Sequence, residues 1–259
     1  MSKKAVVVIS FGTSYAEAEK AIINIENKIQ EAFPEHDFFR AFTSGMIIKK
    51  LKRTKDIHIG NPEEVLGQLA AEGYEEVVCQ PTHIINGEEY DKMCRMIQKH
   101  SESFRSLKVG APLLTEEDDF KACAPVLMSV VSELKDREVL VFMGHGSEHF
   151  ANGAYCQMEN MLRYMGHENV YVGTVEGFPG IDYVMQRMKR KGFQKVFLAP
   201  FMIVAGDHAR NDLGGDEEDS WKSILVEAGY EVDVILKGMG EIDDIAEMFV
   251  EHAKKAEEV

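Results

Sequence analysis

The 259-residue chain has no Cys-x-x-Cys pair, no apolar run near the roughly 20 residues needed to cross a bilayer, and no excess of positive charge. Each absence removes a class of protein. The four cysteines (Cys79, Cys94, Cys123, Cys156) are scattered, which argues against a disulfide framework, a zinc ribbon or an iron–sulfur cluster and leaves buried reduced thiols. A formal net charge of −15 disfavours nucleic acid and anionic membrane as partners; small molecules and metal cations remain. The first 12 residues pair two lysines with a short apolar run, but Gly12-Thr13-Ser14 leads into a helical pattern without a small-residue cleavage site. The expectation is a buried first strand in a cytoplasmic protein. A Gly-x-x-x-x-Gly-Lys-Ser/Thr loop is also missing, so ATP is not expected; no separate organic cofactor is implied.

What is present is ordinary globular composition, 45% hydrophobic and 28% charged. Short β-branched runs alternate with longer amphipathic stretches. Strands are expected at 5–10, 37–42, 76–80, 107–110, 138–143, 170–174, 195–200 and 231–236, and helices at 16–32, 89–100, 118–134, 181–191 and 242–255, among others. The strand runs are continuously apolar, as parallel strands covered on both faces require, and their alternation with helices gives a doubly wound α/β fold.

The two halves share a pattern. Val6-Val7-Val8-Ile9-Ser10-Phe11-Gly12 aligns with Val139-Leu140-Val141-Phe142-Met143-Gly144-His145, an offset of 139 − 6 = 133. Further along, Val77-Val78-Cys79-Gln80-Pro81 aligns with Val196-Phe197-Leu198-Ala199-Pro200, an offset of 200 − 81 = 119. Matched strand-to-loop junctions in the same order indicate internal duplication. Two similar α/β lobes are expected, residues 1–135 and 136–259, divided near Asp136 and facing each other across a cleft.

Ligands of open parallel sheets bind beyond the carboxyl ends of the strands. That rule selects three metal-ligand side chains in the second half: His145 in Met143-Gly144-His145-Gly146-Ser147, Glu176 in Gly173-Thr174-Val175-Glu176-Gly177, and His208 in Ala205-Gly206-Asp207-His208-Ala209. The aligned first-half positions are Gly12, roughly Ser44, and Glu89. Two imidazoles and a carboxylate suit a borderline divalent ion such as cobalt, iron, nickel or zinc. His149 is read either as an assistant to His145 or as a solvent-exposed neighbour.

The first-half loops look shaped for another reactant. Ser10, Phe11, Gly12, Thr13 and Ser14 offer backbone and hydroxyl donors at a helix start, a favourable place for a carboxylate. Thr43 and Ser44 sit in a second such loop, followed by the basic run Lys49-Lys50-Leu51-Lys52-Arg53-Thr54-Lys55. That run reads equally as a cationic rim for a polycarboxylate or as a solvated helix end complementing the dipole. Phe11, Phe42, Ile84, Ile85 and Met143 are candidate apolar walls for a flat ligand, although each alone is commonly core. His83 either lines the same site or packs at its strand end. Asp207 and the acidic run Asp212, Asp216, Glu217, Glu218 and Asp219 read mainly as an exposed loop.

Four separated stretches then carry a resemblance: Phe39-Arg40-Ala41-Phe42-Thr43-Ser44-Gly45-Met46-Ile47-Ile48, His83-Ile84-Ile85-Asn86-Gly87, Val141-Phe142-Met143-Gly144-His145-Gly146 and Val204-Ala205-Gly206-Asp207-His208. In order and over nearly the full length, they resemble the anaerobic sirohydrochlorin cobaltochelatases (CbiK type) of the class II tetrapyrrole chelatase family. The resemblance implies two flavodoxin-like lobes, metal-binding histidines at His145 and His208 with Glu176 as acidic partner, and insertion of Co2+ into sirohydrochlorin in cobalamin biosynthesis. His145 is the expected general base for the pyrrole N–H protons, with His208 and Glu176 holding the ion; Glu176 is alternatively a proton acceptor. The competing functions are a ferrochelatase or nickel chelatase of the same fold (Fe2+, Ni2+ or Zn2+ as the ion), an iron oxygenase, and a non-catalytic metal or tetrapyrrole carrier. Homo-oligomerisation is left open.

Overall fold

The computed structural model describes residues 2–259. In chain order its strands are β1 (Lys4–Ser10), β2 (Asp37–Phe42), β3 (Glu76–Pro81), β4 (Ser106–Val109), β5 (Glu138–Gly146), β6 (Val170–Glu176), β7 (Lys195–Phe201), β8 (Glu231–Val234) and the two-residue β9 (Glu257–Glu258). The α-helices are α1 (Ala16–Ala32), α2 (Gly45–Lys55), α3 (Pro62–Ala71), α4 (Glu88–Gln98), α5 (Glu117–Met128), α6 (Gly153–Tyr164), α7 (Ile181–Met188), α8 (Trp221–Glu227) and α9 (Asp243–Lys254). No described helix is long and apolar enough to cross a membrane.

These elements form two compact units. The first contains residues 2–115 and Gly240–Val259; the second is Glu116–Met239. In the first, the sheet order is β2-β1-β3-β4-β9, parallel except for β9. The second has the all-parallel order β6-β5-β7-β8. Counted within its own unit each sheet begins 2-1-3-4, so one plan occurs twice, as the repeated sequence pattern suggested. Residues 5–9 of β1 and 139–143 of β5 are fully buried, which is why these central strands are apolar without alternation. Local signals set the helix starts: Asn61 and Glu64 form a reciprocal capping box on α3, and the Ser220 hydroxyl accepts from the Ser223 N–H at 3.1 Å to open α8.

Two expectations are corrected here. The chain was expected to divide once, near Asp136. The compact units instead separate at Thr115/Glu116 and again at Met239/Gly240. Helix α5 packs on α6, which takes it into the second unit, whereas α9 packs along α1 and β9 pairs with β4, returning the last residues to the first. Periodicity reveals that such a helix has an apolar face but not which sheet it covers.

The second correction is a shift of one in the repeat. Pro81 lies beside Ile9 on β1, and its equivalent Pro200 lies beside Met143 on β5. The structural offset of β1 to β5 is therefore 143 − 9 = 134. Phe11, not Gly12, occupies the position of His145, and Gly12 matches Gly146. Both glycines have positive φ, 96° and 85°. Similar apolar residues slide past one another without penalty in a sequence alignment, whereas hydrogen-bond register does not.

Candidate functional site

The site lies within the second unit. Strand β5 is flanked by β6 on one side and β7 on the other, so three carboxyl ends are neighbours. His145 is the penultimate residue of β5; Gly146 pairs with Glu176 at the end of β6. The chain beyond β7 reaches His208 at the head of a π-helical turn, Ala209–Leu213, a rare element that is frequent at functional sites. The His145 and His208 rings meet edge to face with centroids 4.7 Å apart. Glu176 Oε2 lies 4.0 Å from His145 Nδ1. All three side chains are between about a third and two thirds exposed, so an incoming ligand can reach them.

Glycine makes this convergence possible. A Cβ on Gly144 would sit 2.3 Å from the Tyr155 ring, and one on Gly146 would sit 1.7 Å from the Glu176 carbonyl oxygen. Only bare backbone lets β5 lie so close to both. Tyr155 is buried beneath the turn, and its hydroxyl accepts hydrogen bonds from the backbone N–H groups of His145 and Gly146. Burial dominates the phenol and pushes its pKa up to about 12, so it remains a neutral prop beneath His145. Asn152 ties the loops together: its Oδ1 accepts from the Ser147 N–H at 3.0 Å, and its Nδ2 donates to the Phe178 carbonyl at 2.6 Å.

His145 Nδ1 lies 2.9 Å from the Gly146 carbonyl oxygen. A carbonyl can only accept, so Nδ1 carries the proton and Nε2 keeps its lone pair. Among the described residues, no three His, Cys, Asp or Glu side chains close around a common point as metal ligands do. His145, Glu176 and His208 thus form an open cluster at adjacent strand ends rather than a closed cage.

The first-unit candidates fare differently. Phe11 is 49% exposed, in the position equivalent to His145. Ser10 is buried and its hydroxyl accepts from Thr82 Oγ1 at 3.0 Å; Thr13 is buried and accepts from the Tyr15 N–H at 3.2 Å. Ser44 caps α2 through the Ile47 N–H at 3.4 Å. In each of these three bonds the hydroxyl is the acceptor, which leaves its own O–H uncommitted, and all three residues are buried. Ser14 is half-buried, and its carbonyl accepts from Lys55 Nζ at 3.3 Å. Thr43 is half-buried with its hydroxyl closed off from solvent and unpartnered. Gly12 is closed over by the Phe42 ring.

Met143 is a correction: it is fully buried in the core beneath the sheet and presents no wall to a ligand. Phe42 is likewise core, and Ile84 is buried beside its half-buried neighbour Ile85. His83 has both ring nitrogens closed off and unpartnered, and burial lowers its pKa to about 4. The basic run falls in α2, with Lys52, Arg53 and Lys55 in its last turn, where they complement the helix dipole. His149 accepts from the Ala151 N–H at 3.3 Å and stacks on Phe150.

Two large aromatics that the sequence reading did not single out are exposed beyond these strands: Phe178, 60% exposed in the loop after β6, and Phe150, 88% exposed at the start of the 3-10 turn Phe150–Asn152 after β5. The strand-end rule that selected Glu176 would have reached Phe178 two residues later. Asp212, which the sequence reads with its acidic neighbours as mainly an exposed loop, has its Oδ2 2.6 Å from His208 Nδ1.

Two topologically repeated α/β units, one of them carrying two imidazoles and a carboxylate at or beyond its strand ends, define an α/β protein of duplicated plan with an open polar cluster in its second unit. The chain belongs to the cobalt chelatase (CbiK) family, whose model matches residues 4–258. It is 42% identical over 255 residues to the sirohydrochlorin cobaltochelatase of Salmonella typhimurium, covering 98% of this chain and 96% of that one. Against the sirohydrochlorin cobaltochelatase CbiKC of Nitratidesulfovibrio vulgaris the identity is 28% over 263 residues, 99% of this chain and 91% of the relative. The fold matches that of SirB from Bacillus subtilis, solved with Fe3+, with a TM-score of 0.64 at 12% identity, over 98% of this chain and 95% of that one.

Proposed function

We propose that the protein is a cytoplasmic lyase-type chelatase that inserts Co2+ into sirohydrochlorin, a step of anaerobic cobalamin biosynthesis. The observation that carries this reading is the approach of both His208 and Glu176 to His145, with β5 and β6 ending at His145 and Glu176 and the chain beyond β7 supplying His208, all three open to solvent. Insertion exchanges one divalent cation for two pyrrole N–H protons, leaving the charge of the product's core unchanged. The enzyme therefore has to accept protons and to strip water from the ion.

His145 is the proton acceptor in this account. Its Nδ1 is committed to the Gly146 carbonyl, so Nε2 is the atom that takes a pyrrole proton and passes it to solvent. His208 and Glu176 hold the Co2+ with one imidazole and one carboxylate, a donor set suited to a borderline ion. Because these ligands do not close around it, the ion keeps exchangeable positions for the ring nitrogens. Phe178, exposed beyond Glu176 and packed on Tyr183 with centroids 4.8 Å apart, offers an aromatic face to the macrocycle.

The metal is tested by competition. Purified protein is given sirohydrochlorin and equimolar Co2+ and Fe2+ anaerobically, with Ni2+ and Zn2+ in parallel, and the products are resolved by absorbance. Preferential catalysed formation of the cobalt complex supports the assignment; catalysed insertion of Fe2+ or Ni2+ in preference to Co2+ would transfer the enzyme to a different metal.

A further inference from the structure

The geometry points to Asp212 as a positioning residue for His208, one that fixes which ring nitrogen faces the metal; this deepens the chelatase reading and rests on His208 being a ligand. The contact is 2.6 Å between His208 Nδ1 and Asp212 Oδ2. No other side-chain pairing made by the three site residues is as short. A carboxylate cannot donate, so Nδ1 carries the proton and Nε2 is left as the donor atom. His145 reaches the same state through the Gly146 carbonyl. Both imidazoles thus present Nε2, one held by backbone and the other by a side chain that substitution can remove.

The aspartate is itself held firmly. It belongs to the π-helical turn Ala209–Leu213, in which the Gly214 N–H bonds to the Ala209 carbonyl at 3.2 Å, five residues back. Leu213, the next residue, is fully buried in the core of the second unit, and Ala209 is buried as well. Gly214 and Gly215 follow in contacts that a Cβ would not fit, 2.9 Å from Val234 and 2.4 Å from the Asn211 carbonyl. In regular α-helical spacing, residues four apart also meet, but the pinned π turn leaves Asp212 little freedom to turn away. A carboxylate behind a metal-binding imidazole orients the ring and makes its other nitrogen a better donor to the ion.

The test uses Asp212→Asn, which preserves shape, and Asp212→Ala, with His208→Ala as the reference. Two readouts are taken: the Kd for Co2+ alone by calorimetry, and the KM values for Co2+ and for sirohydrochlorin during insertion. Loss of an imidazole's carboxylate partner commonly costs about 10–100-fold in metal affinity. The expected result is a rise of that size in Kd and KM for Co2+, with KM for the macrocycle unchanged and the thermal midpoint preserved. A purely structural role would not divide the two KM values in this way. Wild-type Co2+ affinity in both Asp212 variants, with affinity lost in His208→Ala, overturns the inference alone. If His208→Ala binds Co2+ as well as wild type, the inference falls together with the ligand assignment. Asp212-dependent Co2+ binding in a protein that does not accelerate insertion would uphold the inference and remove the chelatase reading.

Discussion

Replacing Gly146 by alanine should disable the site while leaving the protein folded. At φ 85° the backbone is in the left-handed region, where a Cβ costs about 1–2 kcal/mol. The added methyl would also stand 1.7 Å from the Glu176 carbonyl oxygen, 2.6 Å from its carbonyl carbon and 2.7 Å from Thr174 Cβ. Relief requires the end of β6 to retreat by ~1.5 Å, and overpacking of this kind costs about 1–3 kcal/mol. Together these give a loss of about 2–5 kcal/mol, read as a lowered thermal midpoint. The retreating segment carries Glu176, and a displacement near 1 Å at a reacting group can cost about 100-fold in rate. Gly153→Ala is the matched control: nothing lies within 4 Å of its Cβ and its φ is −55°, so rate and stability should hold or improve slightly. Wild-type insertion kinetics and midpoint in Gly146→Ala would refute the claim that this contact sets the position of Glu176.

Three further outcomes follow from side chains of known environment. His83, with its nitrogens closed off, has a folded pKa of about 4 against 6.5, so the unfolded chain binds the extra proton first as pH falls. Its contribution is intact above about pH 6.5 and is lost towards pH 4, reaching roughly 3 kcal/mol; midpoints that fall in parallel for wild type and His83→Phe over that window would contradict this. Glu159 is buried between Arg163 and Arg187 and accepts from the Val172 N–H at 2.9 Å, so Glu159→Gln should cost about 3–5 kcal/mol by leaving two guanidiniums without their counterion; a melting curve unchanged from wild type would reject that role. Phe178→Ala should raise KM for sirohydrochlorin several-fold and leave KM for Co2+ unchanged, and the reverse pattern in steady-state kinetics would remove Phe178 from the macrocycle surface.

The fold was legible because its central strands are buried on both faces: the run from Val139 to Met143 reads as strand at any register. The site was legible for a related reason. A parallel sheet gathers its strand ends, so His145 and Glu176, in the last residues of β5 and β6, could be chosen from the carboxyl ends of apolar runs, and His208 from the connection seven residues beyond β7. Register was not legible, because β1 and β5 are apolar throughout and slide by one; the positive φ of Gly12 and Gly146 fixes the match. Met143 was misread for a different reason: β5 continues through Gly146, so Met143 lies three residues inside the strand and in the core rather than at its end. For Ser10, Thr13 and Ser44 the sequence shows a hydroxyl but neither its burial nor the group from which it accepts. Asp212 was obscured by its acidic neighbours, and only the π turn distinguishes it from Asp216 or Glu217. The course of α5 and α9 depends on which apolar face each covers, which no local pattern records.

The central claim is that His145 and His208 accelerate metal insertion. It is tested most directly by following anaerobic conversion of sirohydrochlorin to its cobalt complex by absorbance, with wild type, His145→Ala and His208→Ala in parallel. The account predicts that wild type exceeds the uncatalysed rate and that each variant loses that advantage while its midpoint stays near wild type. Insertion by wild type no faster than in buffer, or undiminished in both variants, would contradict it.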